Sequence, residues 1–504
     1  MPRLSELLNS AAVDAQPLHD THLNPDTEVT SVDYDSRSCA PGSLFVAIRG
    51  FHADGHGFVA DAEDRGAVTV VVEHPPERVS ARVPVLLVPD SRRALSALAA
   101  AFEGHPSRDL LVAGITGTDG KTTTATMLWS AWRAAGITAG SLTTIDWRVG
   151  DTIVKNQGRQ TTVEAVELQR HLRQLRDEGC THVALETSSH GLALHRVDDV
   201  DFRCAVYTRI TSEHLDLHGT REAYLHAKAR LLQRVGARPD GVAVLDADDE
   251  FAFGTLAAIP VATRLTYSVG GAAADVSARD IRSTRDGLAF QVTTPWGDSD
   301  VALRLSGRFN VANALAALTA ACSTGTSLAD AVAGVGSLAA VTGRMERLDL
   351  GQPFAVIVDY AHTTEALEVV LKELRGTTAG RLWVVFGSAG ERDVEKRSSM
   401  GGVAARLADV SVITDEDPRA EDRFVILEQI AAGATAAGGQ RGETVVVIPD
   451  RADAIAFAVQ RAAPGDTVLL AGKGHEGSII TGRVAAPWDE RAVATAALRE
   501  RLSR

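Results

Sequence analysis

Cysteine is nearly absent: Cys39, Cys180, Cys204 and Cys322 are the only four in 504 residues, and none is spaced as a paired metal ligand. A disulfide-stapled secreted domain and a zinc ribbon are thereby excluded, and a reduced, cytoplasmic setting is expected. No apolar run approaches the ~20 residues that span a bilayer, and Met1-Pro2-Arg3-Leu4-Ser5-Glu6 leads into no apolar signal core. No membrane association is therefore expected. Positive charge is not in excess either: 51 Lys and Arg face 65 Asp and Glu, for a net charge of -14. Nucleic acid is not the expected partner, although a local basic pocket for a small anion remains compatible with that balance. Short-period repeats and low-complexity tracts are missing. Asparagine is scarce, limited to Asn9, Asn24, Asn156, Asn310 and Asn313.

What is present is ordinary globular composition, 45% hydrophobic and 23% charged, at a length that suggests about three domains, each able to bury its own core. The break Glu103-Gly104-His105-Pro106-Ser107 closes a first part. Residues 109–115 read as a buried strand entering a Gly/Thr-rich loop, and Thr122 onward reads as a helix with Met127, Leu128 and Trp132 on its apolar side. Further apolar strands (182–185, 204–207, 242–245) alternate with helical stretches, and 312–321 reads as an Ala/Leu-rich helix. A second alternating series starts near 343, with strands at 354–358, 382–386, 410–413, 444–448 and 467–470. The expected class is α/β with mainly parallel sheets. The expected domains are 1–106, 107–342 and 343–504.

Three groups of residues carry chemistry. In Gly117-Thr118-Asp119-Gly120-Lys121-Thr122-Thr123, glycines let backbone N–H groups close around phosphate oxygens, and a helix N-terminus adds its positive dipole end. Lys121 suits the β- and γ-phosphates and the Thr122 hydroxyl suits Mg²⁺. The strict pattern G-x-x-x-x-G-K-[ST] is broken by Ile115. The second group comprises Leu185-Glu186-Thr187-Ser188-Ser189-His190 and Thr211-Ser212-Glu213-His214-Leu215-Asp216, followed by Tyr224 and Lys228. The third is a set of polar segments after apolar strands in the last third of the chain: Asp359-Tyr360-Ala361-His362, Gly387-Ser388-Ala389-Gly390-Glu391-Arg392, Asp415-Glu416-Asp417-Pro418-Arg419 and Gly472-Lys473-Gly474-His475-Glu476. Ligands of open α/β sheets sit at that carboxyl edge.

Together with Asp35-Ser36-Arg37 and Ser306-Gly307-Arg308-Phe309-Asn310, these segments resemble the Mur ligase family over nearly the whole chain. The resemblance implies a small N-terminal nucleotide-sugar domain, a central P-loop-like ATPase domain and a C-terminal Rossmann-like domain. It also implies an ATP-dependent ligase that adds the third, diamino, acid to UDP-N-acetylmuramoyl-L-alanyl-D-glutamate in peptidoglycan precursor synthesis, through an acyl phosphate. By residue, it implies catalytic Lys121, Glu186, His214 and Lys228. Mg²⁺ would be held by Thr122, Glu186, His214 and Lys228, the last as a carbamate. ATP would be met by residues 117–123 with Asn310, Arg344 and Asp359. The uridine substrate would be met by Ser36, Thr161, Thr162, Ser188 and Arg196, and the amino acid by Arg392, Asp417, Arg419, Gly472 and Glu476. A monomer is expected.

The chain departs from the family at Asp119, Arg209 and Asp417, where Asn is usual. Asp417 leaves the added amino acid open among meso-diaminopimelate, lysine and ornithine. Two other readings stand beside this one. A related ligase of the folylpolyglutamate type would take another acceptor and would not bind the uridine nucleotide. A non-catalytic nucleotide-binding homologue would not release phosphate.

Overall fold

The computed structural model describes the chain except residues 19–23, 51–52, 77–82, 151, 157, 159, 285–286, 392 and 504. It has an α/β fold with three main sheets, divided between two compact units. The first unit comprises Met1–Ser277, Thr293–Ser299 and Ala312–Val335; the second comprises Ala278–Val292, Asp300–Val311 and Gly336–Arg504.

The first unit holds the N-terminal sheet and the parallel centre of the larger one. In the N-terminal one, Ser31–Asp33, Ser43–Val46, Thr69–Val72 and Val85–Leu87 run parallel in that spatial order, and Gln16–Pro17 closes the edge antiparallel. Ser43–Val46 and Thr69–Val72 are buried at every position, as strands covered on both faces must be. The larger sheet has a parallel centre ordered Ala139–Leu142, His182–Glu186, Leu111–Thr116, Phe202–Tyr207, Val242–Asp246 and Thr263–Ser268. The carboxyl ends of Leu111–Thr116, His182–Glu186 and Phe202–Tyr207 are thus neighbours, which brings together three loops distant in sequence. Helix Lys121–Ala134 follows the first of these strands directly, matching the expected strand–loop–helix unit.

The second unit is built on Ala355–Asp359, Thr467–Ala471, Leu382–Phe386, Val410–Ile413 and Val445–Val447, all parallel in that order, with Glu346–Leu348 antiparallel at one edge. All five strands expected in this part form within a residue or two of their expected bounds. Helices Thr364–Thr377, Glu395–Leu407 and Arg423–Ala436 pack through Leu371, Met400 and Ile430 on one face. Helices Arg451–Arg461 and Glu490–Leu502 pack through Ile455 and Leu498 on the other. Helices on both faces of a parallel sheet are the doubly wound arrangement.

An ion pair with no solvent exposure on either side chain, Arg451 to Glu490 at 2.6 Å, joins the last two helices. Arg451 also donates to the carbonyls of Asp415 and Ala471, at the carboxyl ends of two strands. Removing one member of a buried pair strands the other charge, at a cost of about 3–5 kcal/mol. Arg451→Met is accordingly expected to destabilise the second unit by that amount. Urea unfolding followed through Trp488, whose indole donates to Glu490, reads the effect, and adding Glu490→Gln should recover much of it.

Among the described residues, no helix is long and apolar enough to cross a membrane.

Candidate active site

The phosphate loop lies between strand Leu111–Thr116 and helix Lys121–Ala134. Two of its glycines are required by their surroundings. Gly117 has φ +154, and a Cβ there would lie 1.8 Å from Thr208 Oγ1; Gly120 has φ +84, and a Cβ there would lie 2.2 Å from Asn313 Oδ1. The helix start after Gly120 is therefore backed by Asn313, a residue that the sequence placed on the Ala/Leu-rich helix without a role at the loop. Lys121 curls back to donate to the carbonyls of Gly117 (3.1 Å) and Thr118 (2.6 Å), so its ammonium sits over the hollow of the loop.

The neighbouring strand ends complete this arrangement. Glu186 closes strand His182–Glu186 and is 2% exposed. Its Oε2 accepts from the Thr122 hydroxyl at 2.9 Å and from the Thr144 amide at 2.9 Å. Lys228, on helix Arg221–Gly236, is 1% exposed and donates to the Gly117 carbonyl at 2.7 Å. Burial, reinforced by the charge of Lys121, holds the Lys228 amine well below the usual lysine range. His214 adopts a left-handed backbone (φ 56) ahead of the short helix Leu215–His218. Its ring is 4.5 Å, edge-on, from that of His190. Burial lowers the His214 pKa, with Lys121 and Lys228 adding to the effect against the opposing charge of Glu213. Lys121, Thr122, Glu186, His214 and Lys228 thus gather around one loop.

Tyr224, which the sequence groups with Lys228, belongs to this arrangement, and so does Thr208, which the sequence did not single out. The Tyr224 hydroxyl lies 3.1 Å from Thr118 Oγ1, and its ring faces Lys228 Nζ at 4.5 Å. Thr208 donates to the carbonyl of Asp119 at 2.6 Å. The loop contact of Thr208 leaves no mark in the local sequence.

Of the residues expected at the uridine substrate, Thr161, Thr162, Ser188 and Arg196 form a connected polar run in the first unit. Thr161 accepts from Thr144 at 3.0 Å, Thr162 donates to the Glu186 carbonyl at 3.0 Å, and the Ser188 amide donates to Thr162 at 2.9 Å. Ser188 Oγ caps helix Ser189–Ala193 by accepting from Gly191. Arg196, 7% exposed, donates to the Thr162 carbonyl and pairs with Glu164 at 2.6 Å, while its Nε is buried without a hydrogen-bond partner. Ser36 is buried in a single 3₁₀ turn capped by Asp35, away from the threonine pair in sequence but at the carboxyl edge of the N-terminal sheet.

A second cluster lies at that same edge. His56 Nε2 accepts from the Glu73 amide, so its proton sits on Nδ1 and is donated to Asp54 at 2.6 Å. With both ring nitrogens engaged, His56 has no lone pair left for a metal.

In the second unit, Asp359 closes its strand and accepts from the Met345 amide (2.7 Å) and the Ala361 amide (2.8 Å). Arg344 lies over the Tyr360 ring at 4.4 Å. Asn310 donates to the Ser306 carbonyl at 2.6 Å. Asp417 Oδ1 receives both the Lys473 ammonium, at 2.9 Å, and the Ile480 amide, at 2.9 Å. Lys473 has no solvent exposure and also pairs with Glu476 at 2.5 Å. The extra carboxylate at 417 therefore already has a cation beside it. Arg419, with φ 55, is held by backbone bonds to Ile480 and Gly482, and its Nε is buried without a hydrogen-bond partner. Gly472 (φ +102) stands where a Cβ would come within 3.7 Å of Glu416. Arg392 lies outside the described residues.

Three family models match the chain: the Mur ligase family catalytic domain over residues 28–103, the Mur ligase middle domain over 115–321 and the Mur ligase glutamate ligase domain over 343–474. A UDP-N-acetylmuramyl-tripeptide synthetase from Roseiflexus sp. (strain RS-1) is 49% identical, with 99% of both chains covered. A UDP-N-acetylmuramoyl-L-alanyl-D-glutamate--2,6-diaminopimelate ligase from Geobacillus thermodenitrificans is 43% identical, covering 95% of this chain and 97% of its own. A solved structure of a UDP-N-acetylmuramoyl-L-alanyl-D-glutamate--2,6-diaminopimelate ligase superposes with a TM-score of 0.67 at 30% identity, over 99% of both chains.

Proposed function

The chain belongs to the Mur ligase family, and from that premise we propose that it joins the D-glutamyl carboxylate of UDP-N-acetylmuramoyl-L-alanyl-D-glutamate to the amine of a diamino acid. It is an ATP-dependent, amide-forming ligase of peptidoglycan precursor synthesis. The observation that carries the proposal is the convergence of Lys121, Thr122, Glu186 and Lys228 on one phosphate loop.

The chemistry starts from the repulsion between two anions, a carboxylate and a triphosphate. The carboxylate oxygen attacks the γ-phosphorus, the bond to ADP breaks, and an acyl phosphate forms. Lys121 stabilises the transferring phosphoryl group, as a fixed cation at developing charge does. The amine of the incoming amino acid then attacks the acyl carbon, and inorganic phosphate leaves.

The donor set suits Mg²⁺. Thr122 and Glu186 offer oxygens, as a hard cation requires, and the lowered pKa of His214 keeps its imidazole neutral and able to ligate. When bound, the ion supplies charge neutralisation between the two anions. Lys228 is suited to carbamate formation because burial shifts its amine toward the neutral form, which is the form that adds carbon dioxide. Thr161, Thr162, Ser188 and Arg196 orient the uridine dipeptide. Asn310, Arg344 and Asp359 take the adenosine side of ATP. Arg392, Arg419, Gly472 and Glu476 receive the amino acid, with Asp417 acting on it through its pair with Lys473.

A phosphate-release assay with the uridine dipeptide, run in parallel with diaminopimelate, lysine and ornithine, tests the proposal. Release should require both the dipeptide and one of the three amino acids. Release that ignores the uridine dipeptide, or none at all, overturns it.

A further inference from the structure

A phosphate loop normally avoids negative charge, yet Asp119 puts a carboxylate in the middle of this one, exposed at its rim. The loop is fastened to the segment that follows strand Phe202–Tyr207 by three bonds. The Thr118 amide donates to the Arg209 carbonyl at 2.8 Å, Thr208 Oγ1 donates to the Asp119 carbonyl at 2.6 Å, and the Thr211 amide donates to Thr118 Oγ1 at 2.9 Å. These bonds set the backbones of residues 119 and 209 side by side, and both side chains are exposed. Asp119 bears electrostatically on Lys228 and Tyr224, at the floor of the site. Arg209 bears on Asp246, which ends the next strand of the sheet and whose carboxyl burial pushes up to about 6.

We infer that Arg209 is a positioning residue for the nucleotide, a cation whose backbone is fastened beside the phosphate loop and whose charge offsets the carboxylate of Asp119 and restores the loop's attraction for a triphosphate. This rests on the ATP-ligase reading above. An uncompensated unit charge at the rim of a phosphate site, partly screened by solvent, is enough to change the affinity for a triphosphate by up to roughly tenfold. Neither group is needed for the bonds that fasten the loop, because those use the backbone of 118, 119, 209 and 211 and the hydroxyls of Thr118 and Thr208. The two side chains can therefore be changed while the loop is kept.

The test is a double-mutant cycle on the full chain, with KM for ATP as the readout. Arg209→Ala is expected to raise KM for ATP roughly tenfold, leaving KM for the uridine dipeptide and the melting temperature unchanged. Arg209→Lys should recover most of the loss, since it keeps the charge. Asp119→Asn alone should change KM for ATP by less than about twofold, because Arg209 already offsets the carboxylate, whereas Asp119→Asn added to Arg209→Ala should return it to within about twofold of the parent value, far from the sum of the two single effects. The effect of Arg209→Ala should shrink as salt is raised. Should Arg209→Ala lower the melting temperature, the Arg209→Lys and Asp119→Asn variants carry the test alone. The inference is overturned if KM for ATP stays put in Arg209→Ala, or if the two substitutions simply add. A parent enzyme with no ATP dependence would instead sink the ligase reading itself.

Discussion

Lys121→Ala is expected to lower kcat for amide formation by about three orders of magnitude while leaving the protein folded. The ammonium is held over the loop by two carbonyls, at 3.1 and 2.6 Å, so it is already positioned where the phosphoryl charge develops. Among the described residues, no other lysine or arginine is hydrogen-bonded to the carbonyls of the loop's first two residues except Lys228, whose buried amine is shifted toward its neutral form. Removal of Lys121 therefore leaves the transferring group without its fixed cation. The loss should fall on kcat and kcat/KM together, the mark of an interaction made in the transition state. Arginine at 121 should not restore the rate, because a planar fork does not fit where a compact ammonium sits. Steady-state kinetics with far-ultraviolet circular dichroism as a control reads both parts.

Lys228→Met should abolish activity, by at least about a hundredfold, and at the same time make the protein more resistant to heat. The two effects have one cause. The amine is buried at 1% exposure, and burial and the nearby Lys121 charge depress its pKa. Its folded-state pKa lies below the unfolded value of about 10.4. Between those two values the unfolded chain binds more protons than the native one, so stability rises with pH across that window and the penalty is largest below it. An apolar side chain of similar length removes the penalty. In Mg²⁺-free, bicarbonate-free buffer near pH 7 the variant should melt higher than the parent, and the gap should close as pH approaches the ordinary lysine value. A variant that is less stable at pH 7 would mean the amine is matched by a partner rather than kept neutral.

The legible parts of the site share one property: their partners lie close along the chain. Residues 117–123 announce a phosphate cradle because strand, glycine loop and helix are consecutive, and the fold forms them so. The strands of the second unit were legible because parallel buried strands are unbroken apolar runs. What escaped notice depends on distant pairs. Asn313 backs Gly120 from almost two hundred residues away, and Thr208 presses on Gly117 from the end of another strand. The Arg196–Glu164 pair joins two loops whose sequences give no sign of each other. Asp417 illustrates the limit most clearly. Taken alone it looked like a carboxylate free to choose a substrate cation, but folding delivers Lys473 to it at 2.9 Å. Local sequence specifies the charge, and only the fold determines what cancels it.

The most direct test of the whole account follows oxygen. If the D-glutamyl carboxylate is labelled with ¹⁸O and the enzyme turns over with ATP and a diamino acid, the released phosphate should carry one labelled oxygen, transferred when the acyl phosphate is cleaved. Unlabelled phosphate, formed at the normal rate of amide synthesis, would contradict the claim that this loop joins a carboxylate to the γ-phosphoryl group of ATP.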